Sequence, residues 1–383
     1  MSWCGLCGRG RLARVVSGTK AQWHQTLGGI DATPKSNSKA AGESPATTWF
    51  SLVRFGILGF GLHAVKRLMP GFALAQNCCV TALSRRTLEK AQESARQHNI
   101  PLAFDSAEDM CRSPQVDAVL VTTPNACHLN DVLLALRCGK PVLCEKPMGV
   151  HAGECRKMVE AARSAGLLLG VAQVFRFEES TARFRERVAA GEIGKIVFAR
   201  SEFSFPGGTG HARSWLHDSA VAGGGPIADV GVHCVDALRY ILQDEVVRVS
   251  AQGQQGPGSV ESAAVLTLEF TCGTLATVAV SFRAEYRTPL ELVGETGSLR
   301  AEHALNVEHP IKMELRRASS AVETDEVSNR LAYVKQVDAF AAAVEGKAKF
   351  PVPGEEGWQN QEILDAAYRS IKSGKAEDVA QVG

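Results

Sequence analysis

Three things are scarce in this chain, and each scarcity sets aside a class of protein. Net charge is nearly absent, because 42 Lys and Arg stand against 41 Asp and Glu and leave +1. Binding driven by nucleic-acid phosphates needs a clustered basic excess, so a nucleic-acid partner is not expected. Long apolar runs are absent too. No stretch of the sequence reaches the roughly 18 uninterrupted apolar residues that suggest a membrane span, so no membrane partner is expected. Finally, no cysteine framework is visible. The eleven cysteines are scattered, odd in number and partly embedded in apolar strands, which reads as reduced thiols of a cytoplasmic protein. What remains is a chain of 383 residues with ordinary hydrophobic content, enough for two domains.

Residues 1–52 differ from the rest. They show no sustained helical or strand period and carry Arg9, Arg11, Arg14, Lys20, Lys35 and Lys39 against Asp31 and Glu43. Without an apolar core segment this is no secretory signal. Its basic bias is mildly like that of an organellar presequence, but a disordered extension or an upstream start codon accounts for it more simply. Cys4 and Cys7 form a CxxC without the second pair or the strand–helix setting that would give it chemistry.

From Val53 the pattern sharpens. Val53–Leu58 reads as a buried strand, Gly59-Phe60-Gly61-Leu62-His63-Ala64 follows, and Val65, Leu68, Met69 and Phe72 then recur at helical spacing. This is G-x-G-x-x-A between a strand and a helix. The first glycine permits the tight turn, the second lets backbone approach a pyrophosphate, and the small third residue lets the helix pack on the strand. A second strand, Cys79–Leu83, ends at Ser84-Arg85-Arg86, where an NAD site places a carboxylate for the ribose hydroxyls. A hydroxyl and two guanidiniums suit a 2′-phosphate instead, so NADP(H) is expected over NAD(H). The alternative is that Arg85 and Arg86 are solvated charges opening the helix Thr87–His98.

Further strands at Val116–Val121, Pro141–Cys144 and Leu167–Val171 alternate with helices at Asn125–Cys138 and Ala152–Ala165. Such alternation means βαβ units and a parallel sheet, with ligands outside the carboxyl ends of its strands. Thr123, Pro124, Asn125, Glu145 and Lys146 then join Gly59, Phe60 and Gly61 around a cofactor crevice. The predicted division is an extension over 1–52, a Rossmann dinucleotide-binding domain over 53–172, and an α/β domain over 173–383. In the last, strands at Ile196–Phe205, Val246–Gln254, Ala263–Thr271, Thr274–Phe282 and Leu290–Gly294 lack intervening helices, which implies a largely antiparallel open sheet. One face of such a sheet can take helices and the other a partner subunit.

Gly223-Gly224-Gly225-Pro226 leads into a helix over Ile227–Leu242. Asp229, His233, Asp236 and Tyr240 fall at i, i+4, i+7 and i+11, one helical face, so Asp229 and His233 are placed to reach one small polar ligand. A structural polar stripe is the plainer alternative. No tight ligand cluster is present, so no metal is expected. Arg176 and Trp215 are weaker candidates for the same pocket.

These pieces resemble the Gfo/Idh/MocA family of glucose–fructose oxidoreductase and inositol dehydrogenase relatives. The resemblance covers about Val53 to Lys375 and rests on Gly59-x-Gly61-x-x-Ala64, Thr123-Pro124-Asn125-x-x-His128, Gly139-Lys140-Pro141-Val142-Leu143-Cys144-Glu145-Lys146-Pro147, Gly223-Gly224-Gly225 before Asp229-x-x-x-His233, Gly294-x-x-Gly297-Ser298 and Pro351–Gly357. It implies a Rossmann domain, an α/β domain whose sheet forms a homodimer or homotetramer face, and reversible oxidation of a sugar or polyol hydroxyl. By matched position Lys146 looks like the catalytic lysine, and Asp229 and His233 like the substrate-binding and acid/base pair. His128 joins the cofactor-binding set. Two alternatives stand beside this reading: a nucleotide-binding regulator without chemistry, and an NAD-assisted glycoside-cleaving enzyme.

Overall fold

A computed structural model describes residues 52–207, 211–256, 258–318 and 320–383. Leu52 apart, the expected N-terminal extension lies outside the described residues.

The first sheet follows from short apolar runs that are buried on both faces. Its strands are β1 (Val53–Leu58), β2 (Cys78–Ser84), β3 (Leu102–Phe104), β4 (Ala118–Val121), β5 (Val142–Glu145) and β6 (Leu169–Ala172). They pair in the order β3-β2-β1-β4-β5-β6, all parallel. Every residue of β4, β5 and β6 is buried, as an all-parallel sheet covered by helices requires. Each fully buried Val, Leu or Phe here contributes roughly 1.5–3 kcal/mol of transfer free energy. The order reverses between β1 and β4, so the crevice for a ligand opens above those two strands.

The second sheet contains β7 (Ile196–Ser204), β8 (Val246–Gln255), β9 (Glu261–Phe270), β10 (Leu275–Ser281), β11 (Leu290–Gly294), β12 (Gly297–Ala301), β13 (Pro310–Arg317), β14 (Glu323–Ser328) and β15 (Glu377–Asp378). It has nine strands in the order β14-β13-β12-β11-β7-β10-β9-β8-β15. Only β7 and β10 run parallel; the other pairs are antiparallel. The helices Glu179–Ala189, Val232–Leu242 and Gly354–Ser373 pack on one face. The other face keeps Phe198, Val265, Leu275 and Val293 exposed, and Phe198 sits in register with Leu275 on one side and Val293 on the other.

The chain then returns to the first sheet. Val337, Phe340 and Ala341 of the helix Ala332–Val344, with Phe350 and Val352, pack into the core of the parallel sheet. The Val171 N–H donates to Val352 O at 2.9 Å. Residues 337–352, which the expected boundary assigns to the second domain, therefore contribute to the core of the first.

Candidate active site

The carboxyl ends of β1, β2, β4 and β5 carry the residues singled out from the sequence. Gly59 has φ +80°, and a Cβ there would stand 2.8 Å from the Thr123 backbone N, so the β1 turn lies tight against the loop after β4. At Gly61 an added Cβ would have no neighbour closer than 3.6 Å, so the backbone is open to close approach. That opening fits a dinucleotide pyrophosphate. Phe60 is buried and donates its N–H to Ser84 O at 3.3 Å. Ser84 ends β2, also buried. Arg85 is anchored twice, its N–H on Phe104 O at 3.1 Å and its Nη1 on Ser94 Oγ at 2.7 Å, whereas Arg86 is exposed. No carboxylate occupies this strand end.

At the end of β5, Lys146 turns its ammonium across to the second domain. Its Nζ donates to Asp229 O at 2.7 Å and lies 3.1 Å from Asp229 Oδ1, with both side chains largely withdrawn from solvent. The Lys146–Pro147 peptide bond is cis. Behind the lysine, Glu145 accepts from the Lys146 N–H at 3.2 Å and lies 2.9 Å from His63 Nε2. Burial works to raise the Glu145 carboxyl, but the charge and hydrogen bond of His63, with Lys146, outweigh it and hold it below the usual glutamate value.

Asp229 and His233 arrive on a helix that opens with a π turn. Ile227–Gly231 is π-helical, with the Val232 N–H donating to Ile227 O, and Val232–Leu242 is α-helical. His233 is 7% exposed, its ring 4.4 Å from Phe175 and 6.0 Å from Phe203. Burial pushes its pKa well below the ordinary histidine value, and the nearby Lys146 and His63 push it further, so the imidazole is neutral near pH 7. Its Nδ1 has no protein partner.

Other candidates take different places. His128 departs from the expected cofactor role. It is fully buried, with Nδ1 3.0 Å from Pro147 O and Nε2 2.8 Å from Thr123 O, so it ties two loops together and has no nitrogen left for a ligand. Asn125 is buried and donates to Ala222 O at 2.8 Å, joining the loop after β4 to the segment before the triple glycine. Pro124 precedes it at the start of a short turn, and Thr123 Oγ1 donates to Asp131 Oδ2 at 2.7 Å. Arg176 is likewise no pocket residue. Its guanidinium is buried on Asp236 (2.8 Å) and Glu356 (2.7 Å), and Asn360 donates to the same Asp236 at 2.7 Å. The polar row Asp229–His233–Asp236–Tyr240 therefore divides: Asp229 holds Lys146, Asp236 pairs with Arg176, and the Tyr240 ring lies 5.6 Å under the Arg176 guanidinium. Trp215 is half-buried in the turn His211–His217.

The sequence reading missed His63, Phe175 and Phe203. His63 was within view, inside the glycine turn, but its partner lies 82 residues away. The aromatic residues beside His233 carried no local signal. Among the described residues no group of three or more ligating side chains forms a metal site, and no helix is long and apolar enough to cross a membrane.

Comparison with known proteins agrees with this architecture. Residues 53–173 match the oxidoreductase family with an NAD-binding Rossmann fold, and residues 181–300 match the GFO/IDH/MocA C-terminal domain. The chain is 30% identical over 333 residues to 1,5-anhydro-D-fructose reductase of Ensifer adhaerens, covering 85% of this chain and 98% of that protein. It is 32% identical over 330 residues to D-xylose 1-dehydrogenase (NADP(+)) 2 of Haloferax volcanii, covering 85% and 99%. The crystal structure of aldose-aldose oxidoreductase from Caulobacter crescentus, complexed with glycerol, superposes with a TM-score of 0.80 at 25% identity, covering 86% of this chain and all of that one. A strand-end lysine facing an aspartate across two sheets of this order thus stands in a chain that belongs to the Gfo/Idh/MocA family, as an NAD(P)-dependent enzyme of the dehydrogenase and reductase kind.

Proposed function

We propose that the protein is an NADP(H)-dependent oxidoreductase that moves a hydride to or from a hydroxyl-bearing carbon of a sugar or polyol. The observation that carries this reading is the Lys146–Asp229 pair at the end of β5, beside a buried neutral His233. Nicotinamide, when bound, takes or gives the hydride. The chain's part is the proton and the geometry. Lys146 holds or moves the proton at the reacting oxygen. Asp229 fixes Lys146 and orients a neighbouring hydroxyl. His233, kept neutral, offers the substrate an uncharged hydrogen-bonding edge, which leaves Lys146 the better proton carrier. Gly59, Phe60, Gly61, Thr123, Pro124 and Glu145 frame the cofactor crevice.

Preference for the phosphorylated cofactor is supported by Ser84 where an NAD site has a carboxylate, and by the anchored Arg85. The name of the Haloferax relative, which includes NADP(+), points the same way. The exposed row Leu275–Phe198–Val293 supports association of two copies through the open face of the second sheet, since an apolar patch of this kind favours covering. The nine cysteines among the described residues are all unpaired, which suits a cytoplasmic setting. The test is a panel of aldoses, polyols and dicarbonyl sugars assayed with NADP+ or NADPH. Turnover with at least one sugar or polyol is expected; binding of NADPH with no turnover on any would overturn the reading.

A further inference from the structure

The helix that delivers Asp229 has no cap of its own. Pro226 stands at its N-terminal boundary and provides no side-chain hydrogen bond. The missing acceptor comes from 34 residues away, on β9. Glu261 accepts from the Gly225 N–H through Oε2 at 3.1 Å and from the Ile227 N–H through Oε1 at 2.9 Å. Tyr368, on the helix Gly354–Ser373, donates its hydroxyl to Oε1 at 3.1 Å. Burial raises the Glu261 carboxyl, and these donors pull it back. The triple glycine is shaped by this clasp. A Cβ on Gly224 would stand 1.7 Å from Tyr368 Oη, and one on Gly225 would stand 2.2 Å from Glu261 O. The glycines let the loop lie flat against Glu261 and Tyr368, which fixes where the π turn begins. Two residues after Ile227 comes Asp229, whose carbonyl and carboxylate both hold Lys146 Nζ.

We infer that Glu261 and Tyr368 are positioning residues that set the place of Asp229 and, through it, the hydrogen bonding and charge of Lys146. Neither touches the reacting atoms. The inference rests on the proposed role of Lys146 and adds the device that aims it. The direction of the effect follows from the contacts. Glutamine at 261 keeps one acceptor but turns an NH2 group towards one of the two backbone N–H donors, so one end of the clasp opens and the π turn shifts. The Asp229 carbonyl, being backbone, must move with it. The groups that face Lys146 are Asp229, the Glu145 carboxylate and the His233 ring, and of these Asp229 lies within the π turn that the clasp holds.

Two readouts test this. In a double-mutant cycle, E261Q lowers kcat by about tenfold, with the NADPH dissociation constant within about twofold of the parent. In the K146M background the same change alters the residual kcat by less than about twofold, because the clasp acts through the Asp229 carbonyl and carboxylate that hold Lys146. Y368F gives a smaller loss in the same direction. A role confined to stability predicts equal losses in both backgrounds, and that additivity overturns the inference. The second readout needs no substrate. Lysines are reductively 13C-methylated, the Lys146 resonance is assigned by its absence in K146R, and its pH titration is followed. A midpoint displaced in E261Q and Y368F, at unchanged NADPH binding, is the expected result. An identical titration in parent and variants overturns the inference. Should the parent turn over no sugar at all, the proposed function fails while the lysine titration still decides the clasp.

Discussion

His233 gives the sharpest quantitative expectation. In the folded chain its imidazole is 7% exposed, lies against Phe175 and Phe203, and has Lys146 and His63 in electrostatic reach. Burial first, and then Lys146 and His63, hold its pKa well below the value it recovers in the unfolded chain, near 6.5. The sign follows directly. Between the two values the unfolded chain binds a proton that the folded chain does not, so stability is whole above about pH 6.5 and is lost as pH falls below it. A histidine that titrates only when unfolded removes on the order of 1 kcal/mol between pH 7.5 and pH 5.5. Burial depresses His128 as well, and it adds to the same slope. The perturbation is H233N, which removes the titrating group and leaves His128 in place. Urea unfolding at both pH values reads the difference, with m held in common. The parent should lose on the order of 1 kcal/mol more than H233N over that interval. Equal losses would refute the claim that the imidazole is held neutral by its surroundings.

Other consequences are as direct. S84D should lower the ratio of kcat/KM for NADP+ over NAD+ by about tenfold or more, because a carboxylate repels the 2′-phosphate and receives the ribose hydroxyl; an unchanged ratio removes the cofactor assignment. F198E puts a charge at the centre of the row Leu275–Phe198–Val293 and should abolish the proposed pairing of copies, read by light scattering, with NADPH binding retained. D236A leaves Arg176 buried with Glu356 as its remaining carboxylate partner and should cost about 3–5 kcal/mol in urea unfolding, while the same change at an exposed ion pair such as Arg248–Asp378 should leave the urea midpoint nearly where it was.

Much of the first domain was legible because its signals are local. β1 occupies the residues its apolar run marks, and Lys146 stands out as a charged residue closing an apolar strand before a proline. Glycine turns at Thr271-Cys272-Gly273-Thr274 and Glu295-Thr296-Gly297-Ser298 join β9 to β10 and β11 to β12, a signal local in the sequence. β13 lies beyond the expected strands, although Ile311, Met313 and Leu315 alternate with Lys312, Glu314 and Arg316 at strand spacing. Partners far apart in sequence were beyond reach. Nothing near Glu145 announces His63, and nothing near Ile227 announces Glu261. Arg176 shows the opposite failure. It stands next to Phe175, which lies against His233, yet its own side chain turns to Asp236 because a buried guanidinium needs a carboxylate. Residue position along the chain gave the neighbourhood, and only the packing gave the direction.

The central claim is that Lys146, held by Asp229 at the end of β5, carries the proton for hydride transfer on a sugar or polyol. K146M removes the ammonium and keeps an apolar stem of similar length, so the crevice at Gly59–Gly61 and Ser84–Arg85 is left intact. The decisive measurement is single-turnover oxidation of NADPH by parent and K146M on a sugar that the parent turns over, with cofactor binding followed by fluorescence. Undiminished NADPH binding with turnover reduced by about 10³-fold or more is the predicted result. Turnover within about tenfold of the parent would contradict the account.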